Sequence, residues 1–191
     1  RDGIARTNMA IFDAAAAEAH YAGMGTTLVA GIFHDNQLIA AHVGDSRLYR
    51  LRGDELKLLT HDHSLLQEQI DAGLVSADDA RHSKIRNLVT RAVGVDALLS
   101  PEIHRHEVRV GDLYLFCSDG LNDMVEDDEI GLTLRTLGAN LELAATQLID
   151  MANDNGGRDN VSVILVRVLR EFPGPQGWWT KLLNRFKQGK R

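Results

Sequence analysis

The sequence predicts an α+β sandwich. Short apolar runs bounded by turn residues form groups of strand-like segments, as in residues 26–33 and 37–43, whereas helical periodicity is confined to separate segments such as 127–137. Strands in groups with helices outside them are typical of the α+β class. With 191 residues, 44% of them hydrophobic and 25% charged, the chain has the composition of one globular domain with a real core.

The first 60 residues predict one helix followed by two hairpins. Apolar residues recur at helical spacing over residues 4–20, and Gly23-Met24-Gly25 ends that pattern. Residues 26–33 and 37–43 flank a short polar turn, and a second pair of runs alternates around Gly53-Asp54. We expect these four strands to form an antiparallel meander.

The remainder of the chain predicts a polar insert and then more strands and helices. Residues 60–94 contain short helical patterns, including a helix start at Ser76-Ala77-Asp78-Asp79. The elements predicted after the insert are strands over 102–108 and 113–117, helices over 127–137 and 141–152, and a last strand over 161–168. We expect the last strand to be central in its sheet, because it is apolar on both faces.

Charge and composition exclude several functions. A net charge of -6 leaves no basic footprint for nucleic-acid phosphates across the body of the chain, so nucleic acid is not an expected partner. The single cysteine, Cys117, excludes an internal disulfide framework. No run approaches the roughly 20 apolar residues of a membrane span, and no secretory leader is visible, so we expect the cytoplasm.

Four aspartates form the candidate site. Asp45, Asp119 and Asp159 each stand where an apolar run or a flexible turn gives way to a Gly, Ser or Asn, and Asp123 follows Asp119 by four residues. For any one of them a plain turn is the better explanation, because Asp and Asn favour turns for local reasons. Together they predict a site for a hard cation, which prefers carboxylate oxygen and water as ligands.

Other chemistries lack their essential parts. Cys117 has no arginine six residues later, so the cysteine loop of tyrosine phosphatases is absent, and Ser118 lacks the Gly-x-Ser-x-Gly elbow of serine hydrolases. Gly23-Met24-Gly25 lacks the rest of a nucleotide-binding motif. The pairs His61/His63 and His104/His106 remain as alternative ligands for a softer metal, with packing or solvated histidines as the default.

Six motifs in order and spacing resemble those of the bacterial branch of PPM-type (protein phosphatase 2C-like) metal-dependent serine/threonine protein phosphatases. The resemblance spans residues 1 to about 168. The motifs are Gly25-Thr26-Thr27, Gly44-Asp45-Ser46-Arg47, Asp62-His63-Ser64, Asn87-Leu88-Val89-Thr90-Arg91-Ala92-Val93-Gly94, Ser118-Asp119-Gly120-Leu121 and Gly157-Arg158-Asp159-Asn160-Val161-Ser162.

The resemblance implies an α-β-β-α sandwich of two antiparallel sheets flanked by helices, with two Mn²⁺ or Mg²⁺ ions, and a third in many members. It assigns Asp119 and Asp159 to the first metal, and Asp45 and Asp123, with Asp119, to the third. It implies that residues 60–94 are a mobile flap and that the substrates are phosphorylated proteins, made by Ser/Thr kinases. In such a reaction a metal-activated water attacks phosphorus directly. We expect a monomer.

One family feature is not among these 191 residues. The family's Asp-Gly-Met-Gly-Gly-like motif, which supplies a metal-bridging aspartate, and its phosphate-gripping arginine belong to a segment before the first helix; neither is present, and Asp2-Gly3 lacks the following glycines. We therefore expect an N-terminally truncated domain over residues 1–170, with little or no activity as an isolated chain. The alternative is a non-catalytic pseudophosphatase or regulatory module that binds phosphoproteins.

Residues 171–191 are predicted to be a linker and a basic amphipathic tail. Residues 173–191 hold five basic and no acidic residues, and Trp178, Trp179 and Phe186 share one helical face with leucines. This pattern suits a helix over 176–191 that lies on an anionic membrane, or one that packs on this protein or a partner.

Overall fold

A computed structural model describes residues 1–76 and 88–174 of the chain. Residues 77–79 of the predicted helix start, and residues 175–191 of the predicted tail, lie outside these ranges. The elements are α1 Asp2–Ala17, a 3-10 turn at Ala19–Tyr21, β1 Leu28–His34, β2 Gln37–Val43, β3 Arg47–Arg52, β4 Glu55–Leu58, α2 Leu65–Asp71, β5 Glu102–Glu107, β6 Leu113–Cys117, α3 Asp119–Asn122, α4 Asp127–Leu137, α5 Leu141–Asp154 and β7 Val163–Arg167.

The strands form two antiparallel sheets, which confirms the predicted α+β class. One sheet has the order β1-β2-β5 and the other the order β4-β3-β6-β7. The helix patterns of residues 127–137 and 141–152 form α4 and α5, which pack against each other. Both β1-β2 and β3-β4 are hairpins, and Asp35 and Asn36 supply the positive φ angles of the tight turn between β1 and β2.

The prediction of a single meander was wrong. The two hairpins belong to different sheets, because the chain leaves the first sheet after Val43 and enters the second at Arg47. Gly44 makes this change of direction at φ +101, a conformation that favours glycine. Alternating patterns locate strands and hairpins, but they do not say when a chain crosses from one sheet to another.

The strand β6 lies between two hydrophobic clusters. All five of its residues are buried, so it carries apolar side chains on both faces. Leu113, Leu115 and Cys117 pack with residues of α4 and α5, whereas Tyr114 and Phe116 pack with Leu38 and other residues between the two sheets. Fully burying one such side chain contributes about 1.5–3 kcal/mol to the free energy of unfolding. Packing on both faces therefore holds β6 in place, and with it the residues that follow Cys117.

The prediction that residues 161–168 form a central strand was also wrong. Among the described strands β7 is at an edge, paired only with β6, and Ile164 is 64% exposed. The strand is apolar on both faces because each face packs against another layer. Val163 and Leu165 pack toward the helices, and Val166 packs toward the opposite sheet. A strand in a middle layer is covered on both faces even when one of its edges is open.

A buried ion pair links the two sheets at the end where β5 and β3 finish. Asp112 is 1% exposed and accepts hydrogen bonds from Arg52 Nε and an Arg52 terminal nitrogen, both at 2.7 Å. It also accepts from the Arg109 backbone N–H at 2.8 Å, and Arg52 donates to the Glu107 carbonyl at 2.9 Å. Burial acts to raise the pKa of Asp112, but these donors outweigh it and hold that pKa below its ordinary value.

We expect Arg52→Met to lower the free energy of unfolding by about 2–4 kcal/mol, because it leaves the Asp112 carboxylate buried without its cation. The control is Arg109→Met, whose partner Glu107 is exposed and whose ion pair contributes about 0–1 kcal/mol. Urea unfolding of both variants and the parent measures the difference. Equal losses in the two variants would contradict the role given to Arg52.

Candidate metal centre

A pocket of about 460 Å³ lies where β2 and β6 end. Seven carboxylates line it together with one arginine and a few apolar or neutral polar side chains. The lining residues are Asp45, Arg47, Asp62, Ser64, Leu66, Gln67, Ile70, Asp119, Asn122, Asp123, Glu126, Asp127 and Asp128. The structure thus places three of the four predicted aspartates, Asp45, Asp119 and Asp123, in one pocket.

Asp45 is held by the turn that joins the two sheets. Any side chain at Gly44 would place its Cβ 2.4 Å from Thr27 Cγ2, so the tight turn requires glycine. Ser46, on the other side of Asp45, shares a 2.9 Å hydrogen bond with the Thr27 hydroxyl. Asp45 itself is 6% exposed, and burial, followed by repulsion from Asp119, raises its pKa to about 6.

Asp119 begins α3, directly after β6, and Asp123 follows the last residue of that helix. The Asp123 N–H donates to the Asp119 carbonyl at 2.8 Å, so the two carboxylates stand one helical turn apart. The predicted arrangement, a turn entering a helix, is therefore present. Burial raises the pKa of Asp119, and repulsion from Asp123 and Asp159 raises it further.

Asp159 lies beside this pocket, in a loop that packs closely on α3. It lines a second cavity, of about 440 Å³, with Asn153, Gly157 and Asn160. A Cβ at Gly120 would meet the Asn160 carbonyl oxygen at 2.5 Å, so only glycine permits this approach. Ser118 holds the same loop from the other side, since its hydroxyl donates to the Asn160 carbonyl at 3.1 Å and accepts the Ser162 N–H at 3.0 Å.

Asp119 repels each of the other three aspartates, but the four do not close around a single point. Across the described ranges, the one group of three metal-capable side chains with ligand atoms within 4.8 Å of one another is His42, His63 and Glu102, and it contains none of them. A cation among such spaced carboxylates takes its remaining ligands from water, which is how Mg²⁺ is commonly held. The donor set is oxygen only, so it suits a hard cation.

Arg47 and Asp62 belong to the pocket wall, although no role was predicted for either side chain. Arg47 donates to Asp62 from Nε at 3.1 Å and from a terminal nitrogen at 2.8 Å, and it also donates to the Tyr49 hydroxyl at 3.0 Å. That hydroxyl donates to Asp127 at 2.8 Å. Arg47 therefore neutralises much of the charge of Asp62. Their presence in two of the motifs was the only sequence signal.

The start of the predicted flap forms another wall. Ser64 caps α2 by accepting the Gln67 N–H at 3.2 Å, and Leu66, Gln67 and Ile70 of that helix face the pocket. Residues 77–87 of the predicted flap lie outside the described part of the chain. Apolar side chains of α2 therefore line the pocket together with the carboxylates.

The predicted histidine pairs do not act as pairs. His61 contacts Asp71 at 2.7 Å, whereas His63 contacts Glu102 at 3.1 Å, and the rings of His104 and His106 are 6.4 Å apart. His63 instead meets His42 and Glu102, as described below. Because these three residues come from distant parts of the chain, no local spacing indicates the group.

Two stacked antiparallel sheets with helices and an acidic pocket at the strand ends define the class, an α+β sandwich with carboxylates gathered at one end. Comparison with protein families identifies it more closely, because the model of the family Protein phosphatase 2C matches residues 1–161. The chain belongs to the protein phosphatase 2C family. The predicted resemblance is thereby confirmed.

Relatives and solved structures support the same assignment. The chain is 41% identical over 147 residues to the serine/threonine phosphatase stp of Listeria innocua, an alignment that covers 75% of this chain and 57% of that protein. The crystal structure of Mycobacterium tuberculosis serine/threonine phosphatase PstP/Ppp has 37% identity and a TM-score of 0.81, covering 85% of this chain and 68% of that one. The structure of the PstP catalytic domain with two manganese ions has a TM-score of 0.77 at 37% identity, covering 85% of this chain and 67% of that one.

The chain spans 57–66% of the length of the stp relatives from Listeria. In the part of the chain that the structure describes, no helix is long and apolar enough to cross a membrane.

We expect Asp45→Asn to stabilise the metal-free chain at neutral pH. The folded-state pKa of Asp45, about 6, lies above its ordinary value of 3.8. Ionisation of Asp45 therefore lowers the free energy of unfolding increasingly as the pH rises between these two values, and by the full amount above the higher one. The gain in unfolding free energy should be larger at about pH 7.5 than at about pH 4.5, by about 1–2 kcal/mol. Urea unfolding in EDTA at both values measures it.

The matched control is Asp150→Asn, since Asp150 is exposed on α5. A gain for Asp45→Asn that does not change with pH, or an equal gain in the control, would contradict the assignment of a desolvated, repelled carboxylate at Asp45.

Proposed function

We propose that these residues form most of the metal centre of a Mn²⁺- or Mg²⁺-dependent protein phosphatase that hydrolyses phosphoserine and phosphothreonine. The observation that carries the proposal is the set of four aspartates at the strand ends, where Asp45 and Asp119 have raised pKa values because they are buried beside other carboxylates. Such repulsion is relieved when cations bind between the carboxylates. Family membership supplies the reaction class.

The residues present fit Mn²⁺ or Mg²⁺. All four candidate ligands are carboxylates, which hard divalent cations prefer, and the described pocket wall offers no thiolate. We assign Asp119 and Asp159 to the first ion, and Asp45 and Asp123, with Asp119, to a further ion. Bound divalent ions lower the pKa of a water and offset charge on a phosphoryl group.

The other residues of the pocket hold this arrangement and exclude alternatives. Arg47 keeps Asp62 and Asp127 oriented on one wall, so their carboxylates are already engaged. Leu66 and Ile70 on α2 offer apolar contact to the residues beside a phosphorylated side chain. We propose that phosphorylated proteins, made by Ser/Thr kinases, are the substrates, and that α2 helps to select among them.

The ligand assignment predicts an order of effects. Asp119→Ala should weaken the binding of more than one Mn²⁺ ion, whereas Asp45→Ala should weaken the binding of one ion and leave the tighter one in place. Calorimetric Mn²⁺ titration of both variants measures this, with Asp150→Ala as the control for a lost exposed carboxylate. A larger loss from Asp45→Ala than from Asp119→Ala would refute the assignment.

The family's bridging aspartate motif is not among these 191 residues, so we expect the chain alone to turn over p-nitrophenyl phosphate slowly or not at all in Mn²⁺. An assay of the chain, and of any longer product of its reading frame that carries an Asp-Gly-x-Gly-Gly motif, measures the difference. Family-like turnover by the 191 residues would contradict the expectation. An inactive long product that still binds phosphoproteins would favour the non-catalytic regulatory module.

We also propose that residues 176–191 hold the cytoplasmic protein at a surface. The chain reaches Gly174 on the β1-β2 turn, where Phe172 N–H donates to Asn36 and Gly174 N–H donates to Asp35. That turn is at the opposite end of β2 from Asp45, so a tail that leaves from it need not cover the pocket. Its basic and aromatic composition suits an anionic membrane.

Co-sedimentation with anionic vesicles, with and without residues 173–191, tests the tail. We expect binding by the full chain and reduced binding after truncation. We also expect loss of binding at high salt, because dissolved ions screen the attraction between Lys or Arg and anionic headgroups. Equal binding by both forms would remove the membrane proposal and favour packing against this protein or a partner.

A further inference from the structure

A second group of metal-capable side chains lies apart from the aspartates. His42 near the end of β2, His63 after β4 and Glu102 at the start of β5 place one ligand atom each within 4.8 Å of one another. His42 is 2% exposed and His63 is 3% exposed, and their rings stack with centroids 4.9 Å apart. From this geometry we propose that His42, His63 and Glu102 bind a zinc-like divalent cation, at a site distinct from the oxygen-only aspartate centre.

The distances are those of a nearly formed site. His63 Nε2 lies 3.1 Å from one Glu102 oxygen, and His42 Nε2 lies 3.9 Å from the other. Neighbouring ligands of one zinc ion are separated by about 3–4 Å, since each Zn–N or Zn–O bond is about 2.0–2.2 Å long. Small side-chain shifts therefore suffice to place all three atoms around one ion.

The protonation states also suit a cation. Burial lowers the pKa of His42, so its imidazole is neutral near pH 7. Burial acts to raise the pKa of Glu102, but hydrogen bonds from His63 and His104 outweigh it and keep that pKa below its ordinary value, so the group is a carboxylate. Two imidazole nitrogens and one carboxylate oxygen form a ligand set that zinc, and not magnesium, prefers.

A fourth ligand is available from the exposed side. His104 Nε2 is 3.3 Å from Glu102, and its side chain is 54% exposed, so the group opens to solvent there. The Arg91 guanidinium approaches Glu102 only to 3.9 Å, beyond hydrogen-bond distance, and it too is half exposed. A cation entering past His104 would displace Arg91 at little cost.

The hydrogen bonds of the metal-free group limit its affinity. His63 Nδ1 accepts the Gly44 N–H at 3.2 Å, so the His63 proton is on Nε2, where it is donated to Glu102. His42 Nε2 likewise contacts the His61 carbonyl at 2.8 Å. Ligation through these Nε2 atoms moves each proton to Nδ1, which for His63 then faces the Gly44 N–H. The site should therefore fill when zinc is supplied, rather than hold a permanent structural ion.

A cation bound at this site should change the affinity for Mn²⁺ at Asp45. His63 is joined to Gly44 twice, because its own N–H also donates to the Gly44 carbonyl at 3.0 Å. Zinc bound to His63 would break the hydrogen bond from the Gly44 N–H to His63 Nδ1, and Gly44 directly precedes Asp45. This consequence rests on the proposed role of Asp45 as a ligand: zinc and the Mn²⁺ ion at Asp45 should weaken each other's binding by the same factor.

The first experiment tests the site itself and needs no activity. Zinc is titrated calorimetrically into the chain with Mn²⁺ in excess, and Co²⁺ absorption reports the nitrogen ligands. We expect one zinc per chain, and a loss of affinity in Glu102→Gln and His104→Gln at least as large as the about 10- to 100-fold caused by losing an outer-shell partner. The control is Glu107→Gln, an exposed carboxylate on the same strand.

Zinc binding that survives both Glu102→Gln and His104→Gln, or that disappears in Asp119→Asn, would overturn the site, since the ion would then lie elsewhere or among the aspartates. His104→Gln changes an exposed side chain, so its result does not depend on folding. In a second titration, Mn²⁺ affinity should fall when zinc is present, and Glu102→Gln should abolish that fall. Zinc binding without any change in Mn²⁺ affinity would overturn the coupling alone.

Discussion

Repulsion among carboxylates at the strand ends is the constraint on which the rest of the site depends. The Asp45 carboxylate is repelled by that of Asp119, and the Asp119 carboxylate is repelled by those of Asp123 and Asp159. Burial also disfavours the charged forms of Asp45 and Asp119. A chain free to relax would let these groups move apart into water. They stay together because each is attached to a segment that cannot move: a strand end, a helix start or a tightly packed loop. The fold thus holds an unfavourable charge distribution, which the proposed cations would relieve.

The rigidity comes from β6, from one close approach of the backbone and from the hydrogen bonds of the Ser118 side chain. Every residue of β6 is buried between the helices and the opposite sheet, so the position of Asp119 is set by packing on both faces. Gly120 lets the Asn160 carbonyl come within a distance that excludes any Cβ, and Ser118 pairs with the same loop. Asp159 is therefore placed by contacts of its neighbours, although its own side chain is exposed.

Local sequence patterns were sufficient to locate most of the helices and strands, and insufficient for the connections between them. Alternation and turn residues located both hairpins, but the crossing at Gly44 depends on contact with Thr27, which no local pattern contains. The strand β7 is apolar on both faces because it lies between the helices and the opposite sheet, and not because it is central in its own sheet. The pairing of Arg47 with Asp62 and the meeting of His42, His63 and Glu102 are likewise properties of the tertiary fold.

The hydrogen bonds between Gly44 and His63 connect the insert to the turn that carries Asp45, without involving the other residues of the pocket. His63 stands at the start of the insert and its carbonyl accepts the Thr90 N–H at 2.8 Å, so both ends of the insert meet at the residue that also holds Gly44. A rigid two-point contact transmits displacement, because packed interiors have few ways to absorb it. Displacement of the described ends of the insert would therefore shift the turn that carries Asp45, and a cation at the proposed histidine site would act on the same turn.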